Sequence, residues 1–425
     1  MPPIRFIHAA DLHLDAAFSG LSRDIPADFA ERLRTATFTA FRRLLDLCER
    51  ESPDFLLLAG DVYNQEDASV SAQLALRDGF RRLESLSIPV FFVHGNHDSL
   101  ASRLRSVRWP GNVTVFGELP DAVPVFRKGE GTPLAIIHGA SHASGRETRN
   151  LAALFRRTEA CGLHVGLLHA TPGDADGVAR YAPFSQEDLK ASGMDYWALG
   201  HIHDRREVCR EPLAAYPGCT QGLHINEPGE KGCLLVTAEA RPDGGYAVRT
   251  SFRPLGPAVW KTLDMDLGGA ASLDELENRL RTGLDRAAAE VWSGCEMLLV
   301  RLRLQGRTEL DGLLRKGTTC AELADRLREG GNGVPRIWIK DIDVATRPCV
   351  ERGALLERED LLGEVFRLSE AARTASGLQA LREGPLAPLF AHARAGKALE
   401  PLTDEELARL LDDAESLCLD LLEND

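Results

Sequence analysis

Six short apolar runs, five of them ending on a His, Asp or Asn motif, constrain this chain more than any other feature. The runs are Ile4–Ala9, Phe55–Ala59, Val90–His94, Leu134–Ile137, Val165–Leu168 and Tyr196–Leu199. Continuous apolar runs of this length suit strands buried on both faces. Stretches with apolar residues at helical spacing lie between several of them. Residues 27–50 carry Phe29, Leu33, Phe38, Phe41, Leu44, Leu45 and Leu47, and residues 69–86 carry Ala72, Leu74, Leu76, Phe80 and Leu83. Strands alternating with helices predict a layered α/β domain.

The polar residues sit at the strand ends. The first run leads into Asp11-Leu12-His13, the second into Gly60-Asp61 and the third into Gly95-Asn96-His97-Asp98. The fifth leads into His169 and the sixth into Gly200-His201-Ile202-His203. Ligands of α/β sheets bind beyond the carboxyl ends of strands, so five strands are expected to deliver metal-binding side chains to one sheet edge. Carboxylate, imidazole and amide oxygen suit Mn, Fe or Zn, and no thiolate joins them, which argues against a structural zinc site. A carboxylate has two oxygens and can bridge two cations. Two cations about 3.5–4 Å apart can clamp the attacking and leaving oxygens of a phosphoryl displacement and lower the pKa of a bound water. Glycines beside Asp61, Asn96 and His201 permit tight turns close to ions or phosphate. Asp-x-His or Gly-Asp alone is weak, since either arises readily in a turn. Gly-Asn-His-Asp and Gly-His-x-His are more specific, and the ordered set of five is far more so.

The 425 residues are too many for one compact core. A polar region rich in Gly and Pro begins at Pro217, with β-like runs at Cys233–Thr237 and Ala247–Phe252. Arg253-Pro254-Leu255-Gly256-Pro257 reads as a domain boundary. Beyond it come strand-like Val259–Met265, a helix near 272–290, Met297–Leu304, a helix near 319–329 and Arg336–Val344, a small α/β cap without ligand clusters. Past Pro348 the pattern is helical. Thr403 and Glu406 fit a capping box, ahead of an apolar stripe through Leu407, Leu410, Leu411, Ala414, Leu417, Cys418, Leu421 and Leu422. The expected domains are 1–253, 254–346 and 347–425.

Net charge is −14, unusual for a nucleic-acid binder. Residues 398–425 hold ten acidic residues and one basic one, a net of −9, which leaves −5 for the rest. Basic clusters stand at Arg42-Arg43, Arg81-Arg82, Arg103/Arg105/Arg108, Arg156-Arg157 and Arg205-Arg206, although a solvated helix face explains any one of them. Nine scattered cysteines without a C-x-x-C pair argue against a disulfide framework and for a reducing cytoplasm. No apolar run approaches the roughly 18 residues of a membrane span, and the N-terminus lacks a signal peptide's apolar segment.

The order Asp-x-His, Gly-Asp, Gly-Asn-His-Asp, His, Gly-His-x-His resembles that of the calcineurin-like metallophosphoesterases. Ala10-Asp11-Leu12-His13-Leu14-Asp15 and Ala59-Gly60-Asp61-Val62-Tyr63 resemble the SbcD-type DNA-repair exonuclease branch, and its YhaO-like members in particular. The resemblance implies a layered β-sandwich flanked by helices, with a small α/β cap and a helical C-terminus. It implies that Asp11, His13 and His203 hold one metal, that Asn96, His169 and His201 hold a second, and that Asp61 bridges them. His97 matches the catalytic histidine that contacts phosphate and assists the leaving oxygen, with Asp98 orienting it. Such nucleases often carry His or Asp where this chain has Asn64, which could bind substrate but cannot act as an imidazolium. Asn64-Gln65-Glu66 and Asp98 depart from the Ser/Thr protein phosphatase branch. Among the other histidines, His224 is a candidate for facing the substrate. His138 and His142 either line the pocket or sit in polar loops, and His8 and His94 read as core residues.

The implied function is DNA phosphodiester cleavage with two Mn²⁺, or Fe or Zn, by in-line attack of metal-bound hydroxide. A phosphomonoesterase or cyclic-nucleotide phosphodiesterase would use the same site. A third reading makes the chain chiefly the regulatory partner of an SbcC-like coiled-coil ATPase. Apolar stripes at Leu361–Leu368 and Leu407–Leu422 would then dock that partner, unless they pack on each other or on a second copy in a homodimer.

Overall fold

A computed structural model describes residues 2–21, 25–64, 69–101, 107–174, 180–242, 244–329, 333–349, 352–391 and 402–422. Gln65, Glu66, Arg103, Arg105 and parts of the acidic tail lie outside the described residues. The chain forms two compact units: 1–266 with 274–304 and 314–345, and 267–273 with 305–313 and 346–425.

All six apolar runs form strands. Twelve strands build the first unit's two main sheets: β1 (Ile4–Ala9), β2 (Phe55–Ala59), β3 (Val90–Val93), β4 (Val113–Val115), β5 (Asp121–Val125), β6 (Ala135–Ala140), β7 (Leu163–His169), β8 (Tyr196–Gly200), β9 (Arg206–Arg210), β10 (Leu213–Tyr216), β11 (Gly232–Ala240) and β12 (Tyr246–Pro254). One sheet has the order β12-β11-β1-β2-β3-β4, the other β5-β6-β7-β8-β10-β9. In the first, β1 to β4 run parallel and β11 and β12 are antiparallel additions at one side. In the second, β6, β7, β8 and β10 are parallel and the edge strands β5 and β9 are antiparallel.

Side chains alternate across each strand, and both faces are covered. Phe6, Phe55, Leu57 and Phe91 of the first sheet share one buried cluster with Ile137, Val165, Leu167 and Tyr196 of the second. Ile7, Leu56, Leu58 and Phe92 occupy another, with Phe41 and Leu44 of α2 (Ala36–Glu51) and Leu76 and Phe80 of α3 (Val70–Ser85). Trp197 and Leu199 pack with Phe155 and with Leu189 of α4 (Gln186–Ala191). Each fully buried Leu or Phe contributes about 1.5–3 kcal/mol. The result is a β-sandwich with helices on both outer faces.

The helix expected over 27–50 is two helices, because α1 (Ala27–Arg34) ends at Thr35 before α2 begins. The Thr35 hydroxyl donates to the carbonyls of Glu31 and Arg32, a bond that competes with helix continuation. Farther along, β13 (Ala258–Asp266), β14 (Met297–Thr308) and β15 (Arg336–Pro348) form a three-stranded sheet, with α5 (Leu273–Glu290), α6 (Asp311–Leu314) and α7 (Thr319–Glu329) between them in sequence. The second unit carries α8 (Arg352–Leu356), α9 (Leu361–Ala372), α10 (Ala375–Glu383), α11 (Ala387–Ala391) and α12 (Asp404–Leu422). Leu355, Leu362, Phe366 and Leu419 form its small core. Thr403 and Glu406 make the reciprocal capping bonds. The α12 stripe is only partly covered: Leu407 is buried, whereas Leu410, Leu417, Leu421 and Leu422 are exposed, and the buried Leu419 lies outside the expected stripe. Among the described residues, no helix is long and apolar enough to cross a membrane.

Candidate metal centre

The strand-end residues come from two sheets, which corrects the expectation of a single sheet edge. Asp11 and His13 follow β1, Asp61 follows β2 and Asn96 follows β3, all in the first sheet. His169 ends β7, and His201 and His203 follow β8, in the second. Periodicity marks a strand as buried but does not say which layer it joins.

The donors fall into groups. Ligand atoms of Asp11, His13 and His203 lie within 4.8 Å of one another, as do those of Asp61, His169 and His201. His13 Nε2 is 3.1 Å from His203 Nε2, which is 3.9 Å from Asp11 Oδ1. His169 Nε2 is 3.0 Å from Asn96 Oδ1 and 3.3 Å from Asp61 Oδ2. His169 Nδ1 faces the Ala59 carbonyl at 2.9 Å, and a carbonyl only accepts, so Nδ1 holds a proton and Nε2 is the atom turned toward two oxygens. Burial lowers the ring's pKa, but Asp61 and Asp11 overcome it and raise it to about 9. One imidazole nitrogen and two oxygens converge here, a cation could take the place of the proton between them, and the hard-to-borderline donor set fits a divalent ion.

The backbone is bent to achieve this. Asp11, His13, Asp61 and His201 all have positive φ, at 51°, 42°, 49° and 103°. Residues other than glycine held there cost about 1–3 kcal/mol each and persist only where the surroundings over-determine them. Asp11 N donates to the Gly60 carbonyl and His13 N to the Asp61 carbonyl, each at 3.1 Å. His201 N in turn donates to the Asp11 carboxylate at 3.0 Å, joining the two sheets.

Burial and the pairing of carboxylates with imidazoles pull against each other in the electrostatics. Burial raises the Asp11 carboxyl, which His169 and His203 partly pull back. It would raise Asp61 too, but His169, His13 and His97 together hold that carboxyl well below its usual range. Burial pushes His13 down to about 4, so its ring is neutral at pH 7 and keeps a lone pair for a cation. Two buried carboxylates this close need positive charge between or beside them.

Residues 4–205 match the calcineurin-like phosphoesterase family, and residues 260–347 match the middle domain of metallophosphoesterase YhaO. The uncharacterized metallophosphoesterase YhaO of Bacillus subtilis (strain 168) is 34% identical over 388 residues, covering 90% of this chain and 91% of the relative. The chain belongs to the calcineurin-like metallophosphoesterases. The DNA double-strand break repair protein Mre11 of Aeropyrum pernix is 27% identical over 319 residues, covering 68% of this chain and 69% of that protein. Membership of this family and the grouped donors make the chain a metal-dependent phosphoesterase with candidate sites for one or two divalent ions.

Around the metallophosphoesterase donors, His97 is exposed, its ring 5.3 Å from that of His13. Its Nδ1 lies 3.0 Å from the Asn64 backbone carbonyl. That carbonyl takes the orienting role expected of Asp98. Asp98 is buried, and its two oxygens instead accept from Gly95 N at 2.7 Å and Val62 N at 3.0 Å, so it ties the β2 and β3 turns together. His142 Nε2 donates to the His169 carbonyl at 2.6 Å, bracing that strand end. His138 pairs with His164 at 3.0 Å, and His8 is a core residue bonded to Tyr196. His94 is half-buried just past β3. Several basic clusters serve local pairs: Arg43 with Glu296, Arg81 with Asp78, Arg82 with Asp46 and Arg157 with Asp195. Arg205 instead stacks on Phe252 at 4.1 Å and Arg206 on Tyr216 at 5.5 Å. Glu227, in the same segment as the candidate His224, had no role read for it, yet it lies 2.6 Å from His203 Nδ1, with His224 Nε2 3.4 Å from the same oxygen.

Proposed function

We propose that this chain hydrolyses phosphodiester bonds in DNA with two bound divalent ions, Mn²⁺ foremost. The observation that carries the reading is the pair of buried donor groups with an exposed imidazole, His97, beside them. Asp11, His13 and His203 would hold one ion, and Asn96, His169 and His201 the other, with Asp61 between. Bound ions of this kind supply Lewis acidity to phosphoryl oxygens and lower the pKa of water. His97 Nδ1 donates to the Asn64 carbonyl, so with both nitrogens protonated, as an imidazolium, Nε2 would be the atom to meet a phosphoryl oxygen and pass its proton to the leaving group while Nδ1 keeps its own. Arg205 and Arg206, just past His203 and already stacked on aromatic rings, would contact the backbone phosphates.

DNA as substrate is supported by the stretch this chain shares with the Mre11 relative. The acidic balance implies modest, strongly salt-dependent affinity. The exposed Leu361, Leu368, Leu410, Leu417 and Leu421 would dock an SbcC-like coiled-coil ATPase, or a second copy. The deciding experiment is a nuclease assay on linear duplex and single-stranded DNA with Mn²⁺, run beside small phosphoesters. Cleavage of DNA that is lost in Asp61→Ala is expected. Rapid turnover of a small phosphoester with DNA left intact would move the assignment to a phosphomonoesterase or cyclic-nucleotide phosphodiesterase.

A further inference from the structure

We infer that Glu227 is a positioning residue: its carboxylate fixes the ring of His203, setting both the tautomer and the direction in which that ligand presents Nε2. The inference rests on reading the centre as a two-cation site, and it adds a residue outside the five motifs. Glu227 is buried, and it belongs to none of the strands that carry the ligands. One oxygen lies 2.6 Å from His203 Nδ1, and the other accepts the Leu223 backbone N–H at 2.7 Å. A carboxylate paired in this way is an acceptor, so Nδ1 must carry the proton. Nε2 is then the atom left to meet a cation, and it faces His13 Nε2 and Asp11 Oδ1.

His203 needs such a clamp more than its neighbours do. The side chains of His169 and Asp61 are 0% and 2% exposed, so the surrounding packing already confines them, whereas that of His203 is 32% exposed. An imidazole with that much open surface can swing about χ1 and χ2 unless a bond stops it. The backbone of His203 is also pinned: its carbonyl accepts from Lys231 Nζ at 3.1 Å and from Cys219 N at 3.3 Å. Lys231 is buried and pairs with Asp204. The segment from Cys219 to Lys231 thus grips His203 at both ends; of its two carboxylates Glu227 meets the ring, while Glu230 accepts from Trp292 N at 2.9 Å. Removing the Glu227 carboxylate frees the ring and leaves the backbone grip in place. Carboxylates behind metal-binding histidines typically alter metal affinity 10–100-fold.

The test is Mn²⁺ titration of the full chain, read by paramagnetic resonance of the free ion, for wild type, Glu227→Gln and Glu227→Ala. Thermal melts of the metal-stripped proteins accompany it. Two bound Mn²⁺ are expected in wild type. In Glu227→Ala one affinity should fall about 10–100-fold while the other holds, and the metal-free melting point should stay near that of wild type. Glu227→Gln, whose amide oxygen still accepts from Nδ1 without the charge, should lose less, a partial rescue. Two unchanged affinities in both variants overturn the proposal. An equal fall at both sites together with a lowered metal-free melting point also overturns it, since that is the mark of a merely structural residue. If Glu227→Ala does not fold, the Gln variant decides alone by whether one site weakens. Wild type that binds no Mn²⁺ at all would instead remove the two-cation reading, a failure distinct from these.

Discussion

Gly60 shows how tightly single residues are specified around the centre. Its φ is +87°, and a Cβ placed there would fall 2.5 Å from His169 Nδ1. Gly60→Ala therefore meets two penalties, a left-handed backbone worth about 1–2 kcal/mol for an L-residue and displacement of the His169 ring, a candidate ligand. A lower urea midpoint and weaker Mn²⁺ binding are expected together; a shift in the midpoint with unchanged Mn²⁺ affinity would show that the ring does not depend on the turn. His97→Ala should separate chemistry from binding. His97 is exposed and hydrogen-bonds the Asn64 carbonyl, so its removal should slow hydrolysis by about 10²–10⁴-fold and leave the Mn²⁺ stoichiometry intact. Loss of a bound ion in that variant would make His97 a ligand instead. The ligand candidates were legible because each sits directly after an apolar run, a local signal. Glu227 was not, since its partner His203 is 24 residues away and nothing in the intervening text pairs them. Asp98 was misread for a related reason: adjacency to His97 suggested a contact, whereas the turn aims its carboxylate at Gly95 N and Val62 N.

Between elements, His8 fastens one sheet to the other. It lies on β1, and its ring meets the Tyr196 hydroxyl at 2.9 Å and the Leu199 carbonyl at 3.2 Å, both on β8. Burial holds its pKa down at about 3, against 6.5 for a free imidazole. The sign follows from which state takes up the proton. Above pH 6.5 neither state binds it, and the contribution of His8 is complete. As pH falls from 6.5 toward 3 the unfolded chain protonates and the folded one does not, so stability is lost at about 1.4 kcal/mol per pH unit for one group. His8→Gln should flatten the pH dependence of unfolding free energy between pH 6 and 4 by about one proton; parallel slopes in the two proteins would refute the assignment. Strand existence was readable from the apolar runs, but strand partnership was not. The antiparallel placement of β11 beside β1 is fixed by contacts across more than two hundred residues, such as Ile4 with Ala238. The short β4 and the half-exposed β9 carry too little apolar signal to register at all.

On the scale of the whole chain, metal binding and folding are linked through only one of the two units. Every candidate ligand, from Asp11 to His203, belongs to the first unit, as does Glu227 behind them. An ion that binds the native site but not the unfolded chain stabilises by about 2.7 kcal/mol at a hundredfold excess over its dissociation constant. That gain reaches only what must open to release the ion. The second unit has its own core of Leu355, Leu362, Phe366 and Leu419, and its own ion pair between Arg352 and Glu415 at 2.7 Å. Among the described residues, those helices carry none of the candidate ligands. Hydrogen exchange with Mn²⁺ and then with a chelator should therefore differ over β1, β2, β3, β7 and β8 and the turns that follow them. Over α8, α9, α10 and α12 the two conditions should give the same protection. A chelator that loosens both regions equally would show that the two units open as one cooperative body, and the linkage would then have to be reckoned over the whole chain.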